Sequence, residues 1–364
     1  MKYIFDDVLE IKNGKNQKAV ENPNGKYPIY GSGGIIGYAD DYICKADTVI
    51  IGRKGNINTP IFVSEPFWNV DTAFGLESNK EYLLPKYLYY FCKKYDFERH
   101  NKTVTIPSLT KSDLLKIEIN LPEIQIQQYI VDVLHKIEYI IELRNKELTA
   151  FNELVKARFI EIFGTLHDNK NRFDVVTIGD VCSLIKDGTH QTPQYAEDKV
   201  NGYKFLSSKD VMSQKIDWSD IKYIPADLHE QLYKTLKPQR NDILMSKNGV
   251  NYGVAAVNDT DEVFDIYVSL ALLRPKEVIN SIFFRCAINN QETKMQFDSS
   301  IKGIGVPNLH LGEIRKTKIF LPPIELQNQF ADFIQQVDKS KNVIQKSLEE
   351  TQTLFNSLMQ KYFS

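Results

Sequence analysis

The chain has 364 residues, of which 42% are hydrophobic and 25% charged, with a net charge of −2. That is the make-up of an ordinary soluble globular protein with room for two cores, and it excludes a disordered or collagenous chain. There is no global basic field of the kind nucleic-acid binders usually carry, although a local patch is compatible with a neutral total. Cys44, Cys92, Cys182 and Cys286 form no CxxC pair, so neither a disulfide framework nor a zinc site is expected, and a reducing cytoplasm fits. MKYIFDDVLE has no signal-peptide profile, and no apolar run approaches a membrane span.

From Met1 to about Asn120 short apolar runs such as Thr48 to Gly52 and Thr59 to Val63 are broken by Gly, Asn, Asp and Pro, which predicts strands. A helix is expected over Pro85 to Lys94. Thr110 and Asp113 are spaced as a capping box, and Ile117 and Ile119 alternate with polar neighbours as a half-buried strand. Pro122 then fits the first turn of a helix. In that helix Ile126, Ile130, Val133, Ile137, Ile141, Leu148, Phe151, Val155 and Ile162 recur at the three-and-four spacing of a coiled-coil seam. It closes at Gly164, and the polar, turn-rich stretch Thr165 to Arg172 marks a boundary.

The pattern then returns. Leu321 to Ser364 repeats Leu121 to Gly164 at a constant offset of 200 residues, and the match extends upstream to Ile106 and Val306. Identical pairs include Pro107/Pro307, Leu109/Leu309, Leu121/Leu321, Pro122/Pro322, Gln127/Gln327 and Phe163/Phe363. Helical periodicity does not demand a turn, a short strand and a Leu-Pro at one offset, so the chain reads as a duplicated unit. The second seam is Leu326, Phe330, Phe333, Val337, Ile344, Leu348, Thr351, Phe355, Leu358 and Tyr362. Each helix of about 40 residues would be about 60 Å long with one narrow apolar stripe, and the economical solution is that the two pair with each other. Arg144 and Lys341 interrupt the two seams, either to set register or to snorkel out of it.

The intervening globular halves echo each other more faintly. Asp180-Val181 matches Asp7-Val8, Lys186-Asp187-Gly188 matches Lys12-Asn13-Gly14, and Asn241 to Gly249 echoes Ala46 to Gly55. Little chain precedes Asp7, so the first half is expected to have a shortened edge. The organisation is then 1–120, 121–164, 165–320 and 321–364: two globular halves that have drifted, on a frame that has not.

Catalytic signatures are absent: there is no Walker A sequence, HExxH, GxSxG, or NPPY-like loop. YGSGGIIGY (Tyr30 to Tyr38) lacks the spacing and strand–helix frame of a dinucleotide fingerprint. It reads as a turn between strands or as a loop that lies on DNA. The histidines, His135 and His190 among them, have no partner spacing for a metal or a base.

What the halves do contain is basic and polar residues interleaved with Gly. In the first these are Lys26, Ser32, Arg53, Lys54, Arg99 and Lys102. In the second they are Lys186, Thr189, His190, Gln191, Lys204, Ser208, Lys209, Lys247, Asn248 and Lys302. Lys and Arg on loops suit phosphates, and Arg, Asn, Gln, Ser and Thr suit base edges, although any solvated loop can have this composition.

Two variable halves alternating with two repeated helices, each introduced by a strand and LP-x-I-x-x-Q, resemble the specificity subunit of a type I restriction-modification system. The resemblance spans essentially the whole chain. It is carried by Ile119 to Glu138, Ile319 to Asp338, Tyr27 to Tyr38, Leu184 to His190 and Ser207 to Val211. It implies an α+β chain in which two β-rich target-recognition domains alternate with two long helices paired as an antiparallel coiled coil. It also implies a non-catalytic chain reading a bipartite, asymmetric site in double-stranded DNA, with the unread spacer set by the coiled coil. Two methylation subunits carrying S-adenosylmethionine would dock on it, and restriction subunits using ATP and Mg could join, leaving no cofactor on this chain. The rival reading is a coiled-coil scaffold whose heads bind proteins or glycans, and a third is an autonomous methyltransferase.

Overall fold

The computed structural model describes residues 1–101, 103, 105–169, 171–196, 202–301 and 306–364. The chain divides into two compact units, residues 1–147 with 344–364 and residues 148–343. The long helices, Ile124–Phe163 and Ile324–Phe363, each give one part to each unit.

Both units are built to one plan. In the first, a four-stranded antiparallel sheet runs in the order Leu9–Asn13, Ala73–Ser78, Thr48–Gly52, Ile61–Val63. A three-stranded sheet orders Gly34–Ala39, Tyr27–Gly31 and Trp68–Asn69, the last pair being parallel. In the second unit the matching sheets are Cys182–Asp187, Leu270–Pro275, Ile243–Ser246, Ala255–Val257 and Lys222–Ile224, Tyr203–Leu206, Phe264–Ile266, again with one parallel pair. The edge expected to be shortened is present. Lys2–Ile4 pairs with Glu118–Asn120, as Asp174–Thr177 pairs with Lys318–Leu321, and the first is one residue pair shorter. Thr110 caps its helix, its hydroxyl accepting the Asp113 N–H at 3.2 Å and donating to the Asp113 carboxylate at 2.7 Å.

The helix starts explain LP-x-I-x-x-Q. Pro122 stands just outside the helix rather than in its first turn, because the Ile126 and Gln127 N–H groups bond to the Glu123 carbonyl. Gln127 is fully buried. Its Oε1 accepts the Leu84 N–H at 2.9 Å, while Nε2 donates to the carbonyls of Tyr82 at 2.8 Å and Pro122 at 2.9 Å. Gln327, equally buried, accepts the Asn280 N–H at 2.9 Å and donates to Val278 at 3.2 Å and Pro322 at 2.8 Å. Tyr82 and Leu84 lead into the helix Pro85–Lys94, and Val278 and Asn280 into Ser281–Ile288. One side-chain amide therefore ties each long helix to the globular part of its unit by satisfying three backbone groups at once.

The expected seam keeps Ile130, Ile137, Phe330 and Val337, but this tie removes its first member, Ile126, and widens it. Ile126 is 50% exposed, and the buried residues are Ile130, Val131, Leu134 and Ile137. The equivalent buried set is Phe330, Ala331, Ile334 and Val337. Adjacent buried positions such as Ile130 and Val131 make a face wider than a coiled-coil seam, because each helix packs on globular core as well as on its partner helix. The pairing is antiparallel within each unit. In the first, the Arg144 guanidinium donates to the Ser347 carbonyl and the Thr351 hydroxyl. In the second, Lys341 Nζ donates to Asn152 Oδ1 at 2.6 Å, and Phe163 meets Phe330 at 5.3 Å between ring centres. The two charges that interrupt the seams thus reach across to the other helix. Burial holds the Lys341 ammonium below its ordinary range.

A second tie repeats in both units. Glu138 accepts from Tyr90 Oη at 2.6 Å and from Lys93 Nζ at 2.5 Å. At the position matching Glu138, Asp338 lies 3.7 Å from Arg285 and 3.6 Å from Lys215. Burial, reinforced by the Glu138 carboxylate, pushes the Tyr90 phenol far above its ordinary range, so it remains a donor. All four cysteines are free thiols, and burial pushes Cys44 and Cys182 up to about 12. Among the described residues no helix is long and apolar enough to cross a membrane.

Replacing Gln127 with Leu should therefore lower unfolding stability by roughly 2–4 kcal/mol, because one N–H and two carbonyls lose their partner in a buried place. Ile126→Gln, one residue away on an exposed face, should stay within about 0.5 kcal/mol of the parent. Urea unfolding of the two variants decides it, and a loss in Gln127→Leu no larger than that in Ile126→Gln would contradict the tie.

Candidate nucleic-acid interface

The candidate interface is built on a turn that occurs in both units. The strand Thr48–Gly52 runs into Arg53-Lys54-Gly55, and Ile243–Ser246 runs into Lys247-Asn248-Gly249. Gly55 and Gly249 have φ of +79° and +87°, a left-handed turn that L side chains adopt only at a cost. Each turn is braced by the repeated Pro-x-Leu. Gly55 N–H bonds Pro107 at 3.0 Å and Leu109 N–H bonds Arg53 at 2.9 Å, while Gly249 N–H bonds Pro307 at 3.0 Å and Leu309 N–H bonds Lys247 at 2.7 Å. Pro107/Pro307 and Leu109/Leu309, identities legible in the sequence, thus hold the same turn twice.

A second pair of candidates also coincides. Val70 N–H bonds the Tyr30 carbonyl and Tyr267 N–H bonds the Leu206 carbonyl in the parallel pairs of the two units, which makes Ser32 and Ser208 equivalent. A Cβ added to Gly52 would lie 3.2 Å from the Ser32 Cβ, so the Ser32-Gly33 turn sits beside the cationic turn. The Ser208 N–H bonds Ser269 Oγ at 3.0 Å, and the Ser269 carbonyl receives the Lys247 N–H. Ser32, Arg53 and Lys54 are therefore brought together in the first unit, and Ser208, Lys247 and Asn248 in the second.

The equivalent turns differ in what they present. Arg53 and Lys54 are exposed. The Arg53 guanidinium lies 5.8 Å over the Phe74 ring and reaches the Asp71 carbonyl at 3.4 Å. Lys247 is 4% exposed, and its ammonium lies 3.3 Å from the Asp187 carboxylate. The same carboxylate lies 3.2 Å from Nε2 of the exposed His190. Asn248 keeps a buried Oδ1 with no hydrogen-bond partner. Lys247 thus faces protein, a placement its neighbours in sequence do not announce, because Asp187 lies on another strand of the sheet.

The remaining candidates are more dispersed. Lys26 lies 5.4 Å over the Tyr27 ring, and Arg99 is exposed with Asp96 at 3.8 Å. Lys186 donates to the Thr235 carbonyl at 3.0 Å. Thr189 is held by the Ile266 carbonyl, and its hydroxyl accepts the Gln191 N–H at 3.2 Å. Lys204 is paired with Glu262 and lies 5.2 Å over Trp218. Lys209 is paired with Asp220 at 2.9 Å, which holds its ammonium above the ordinary range. Lys102 and Lys302 lie outside the described residues. Tyr30 to Tyr38 forms a hairpin and not a strand–helix turn, so it lacks a dinucleotide frame. Among the described residues no group of three or more His, Cys, Asp or Glu could hold a metal ion.

The two turns should respond differently to truncation. Lys247→Ala takes the buried ammonium away from the Asp187 carboxylate, leaving it beside the exposed His190, and should cost roughly 1–3 kcal/mol of stability. Arg53→Ala should leave the thermal midpoint within about 2 °C, as expected of an exposed side chain. Thermal unfolding of both variants is the check, and an unchanged midpoint for Lys247→Ala would contradict a bracing role.

Comparison with known proteins agrees with this architecture. A family model described as the type I restriction modification DNA specificity domain matches residues 2–152 and 170–352. A putative type I specificity subunit of Mycoplasma pneumoniae is 27% identical over 168 residues, which is 41% of this chain and 55% of that protein, so the match spans about half of that relative's length. The EcoBI specificity subunit of Escherichia coli is 20% identical, with 99% of this chain and 84% of that protein covered. In fold, the chain resembles the crystal structure of a type I restriction-modification S subunit from M. genitalium, with a TM-score of 0.62 and 18% identity over 100% of this chain and 96% of that one. The two segments matched by the family model take in most of the sequence and both copies of the braced turn, and the chain belongs to the family of type I restriction-modification DNA specificity proteins.

Proposed function

We propose that this chain is the DNA-reading subunit of a type I restriction-modification complex, acting without catalysis of its own. Its two globular parts, taken as 1–120 and 165–320, each read one half of a bipartite, asymmetric target in double-stranded DNA. The helices at 121–164 and 321–364 set the length of the spacer between them. Two methylation subunits carrying S-adenosylmethionine dock on this frame, and restriction subunits using ATP and Mg join the same assembly in the cytoplasm. One observation carries the reading: a single frame is built twice, with the same buried glutamine and the same braced turn, while the side chains that the two turns present differ. A duplicated frame with unlike readers is what an asymmetric two-part target requires.

Charge is consistent with that role. The net charge of −2 leaves most phosphate neutralisation to partner subunits, with Arg53, Lys54, Lys26 and Arg99 supplying a local share. A scaffold whose heads bind proteins or glycans would have no reason to keep this family's frame along both halves.

Footprinting of the chain with its methylation subunit on random-sequence duplexes tests the proposal. Two short protected segments flanking an unprotected spacer, with binding that weakens as salt rises, are expected. A single protected block, or binding indifferent to salt, would overturn it. The role of the helices has its own test. Removing residues 145–151 and 342–348 takes one heptad from each helix where no side chain is buried, and should shorten the preferred spacer by about three base pairs. Both half-sites should keep their sequences, and altered half-sites would end the spacer idea.

A further inference from the structure

Within that reading, we infer that the hairpin Tyr27–Ala39 of the first unit carries an apolar reader of thymine, made of Ile35 and Ile36. Ile35 and Ile36 are neighbours on one strand, yet both are exposed, by 52% and 57%. Successive strand residues should point to opposite faces, one of them usually covered. The exception is produced by a β-bulge: Ile29 pairs with Gly37 and Tyr30 with Ile35, which leaves Ile36 as an extra residue with no partner. A bulge of this kind re-aims a side chain, and here it turns a large apolar one outward.

The turn that leads into this strand supplies a second observation. A Cβ added at Gly33 would meet nothing within 4 Å, and its φ is not in the left-handed range. Neither packing nor backbone conformation within the chain requires glycine there. A glycine at a bare tip is what close approach of backbone to an external surface asks for. Beside that tip lie the exposed Arg53 and Lys54, through the contact of Ser32 with Gly52. Cations next to an apolar pair complement the edge of a DNA groove, where phosphates border the bases. The apolar group that the major groove offers is the thymine 5-methyl. The second unit has no such pair at the matching strand: Lys222–Ile224 is preceded by Ile221, which is buried, and Asp220. The reader therefore belongs to one half-site.

The test removes single methyl groups from the DNA. The chain with its methylation subunit is titrated against its footprinted duplex, and each thymine of the protected segments is replaced in turn by deoxyuridine. One or two positions, confined to one protected segment, should lose about fourfold in affinity, the value of one buried methyl-sized group. With Ile35→Ser and Ile36→Ser the loss at those positions should vanish. Both residues are more than half exposed, so the variants are expected to fold, and the deoxyuridine series on the parent stands without them. A two-segment footprint with no thymine sensitive to methyl removal would overturn the inference alone, as would sensitivity unchanged in both variants. A DNA bend lost in the variants without methyl sensitivity would assign the pair to base-step insertion and also overturn it. Failure to find two protected segments at all would count instead against the proposed function.

Discussion

The architecture rests on a buried side-chain amide. Gln127 and Gln327 each bind one N–H and two carbonyls that would otherwise be orphaned where a long helix meets its globular neighbour. An unpaired buried backbone group costs about 1–3 kcal/mol, so a residue that answers three of them has few substitutes. Asn is too short to span the same three groups, and Glu cannot donate to two carbonyls. The glutamine also explains why a proline precedes each helix. Pro122 and Pro322 place a carbonyl, free of helical bonding, within reach of the amide nitrogen.

Once each helix is fixed to its unit in this way, the globular parts can vary. Both keep a four-stranded and a three-stranded sheet with one parallel pair, and both keep the left-handed glycine turn braced by Pro-x-Leu. The side chains on those braces are free to differ because the bracing is done by backbone groups. Arg53 and Lys54 stand exposed where Lys247 is buried against Asp187. In the second unit the chain between Leu206 and Lys222 is longer than its counterpart hairpin and presents paired lysines in place of exposed isoleucines. Divergence on a constant frame is the physical basis for reading two unlike sequences with one chain.

Much of the frame is legible in the amino-acid order alone. The repeat, the helices, the strand ahead of each Leu-Pro and the helix cap at Thr110 all follow from local chemistry: periodicity, caps and turn residues. Expectation and fold part company where burial depends on two neighbours at once. A stripe through Ile126 suits a helix packed only on another helix. Because the first turn also docks on the globular part, Gln127 is buried and Ile126 is not. The candidate residues follow the same logic. Ser32, Arg53 and Lys54 stand out by composition, and only the fold of the first unit brings the Ser32-Gly33 turn beside Arg53 and Lys54.

The sequence by itself determined the duplication, the pairing of two long helices, the drift of the globular halves and the family resemblance, because each of these is written in residues near one another or at a constant offset. Tertiary structure decided what each polar group faces. Lys247 lies 60 residues from Asp187, and a bulge that turns Ile36 outward depends on the register of a partner strand. Whether a lysine is a contact or a brace, and whether an isoleucine is core or surface, is set by groups distant in the chain, whose approach no local pattern encodes.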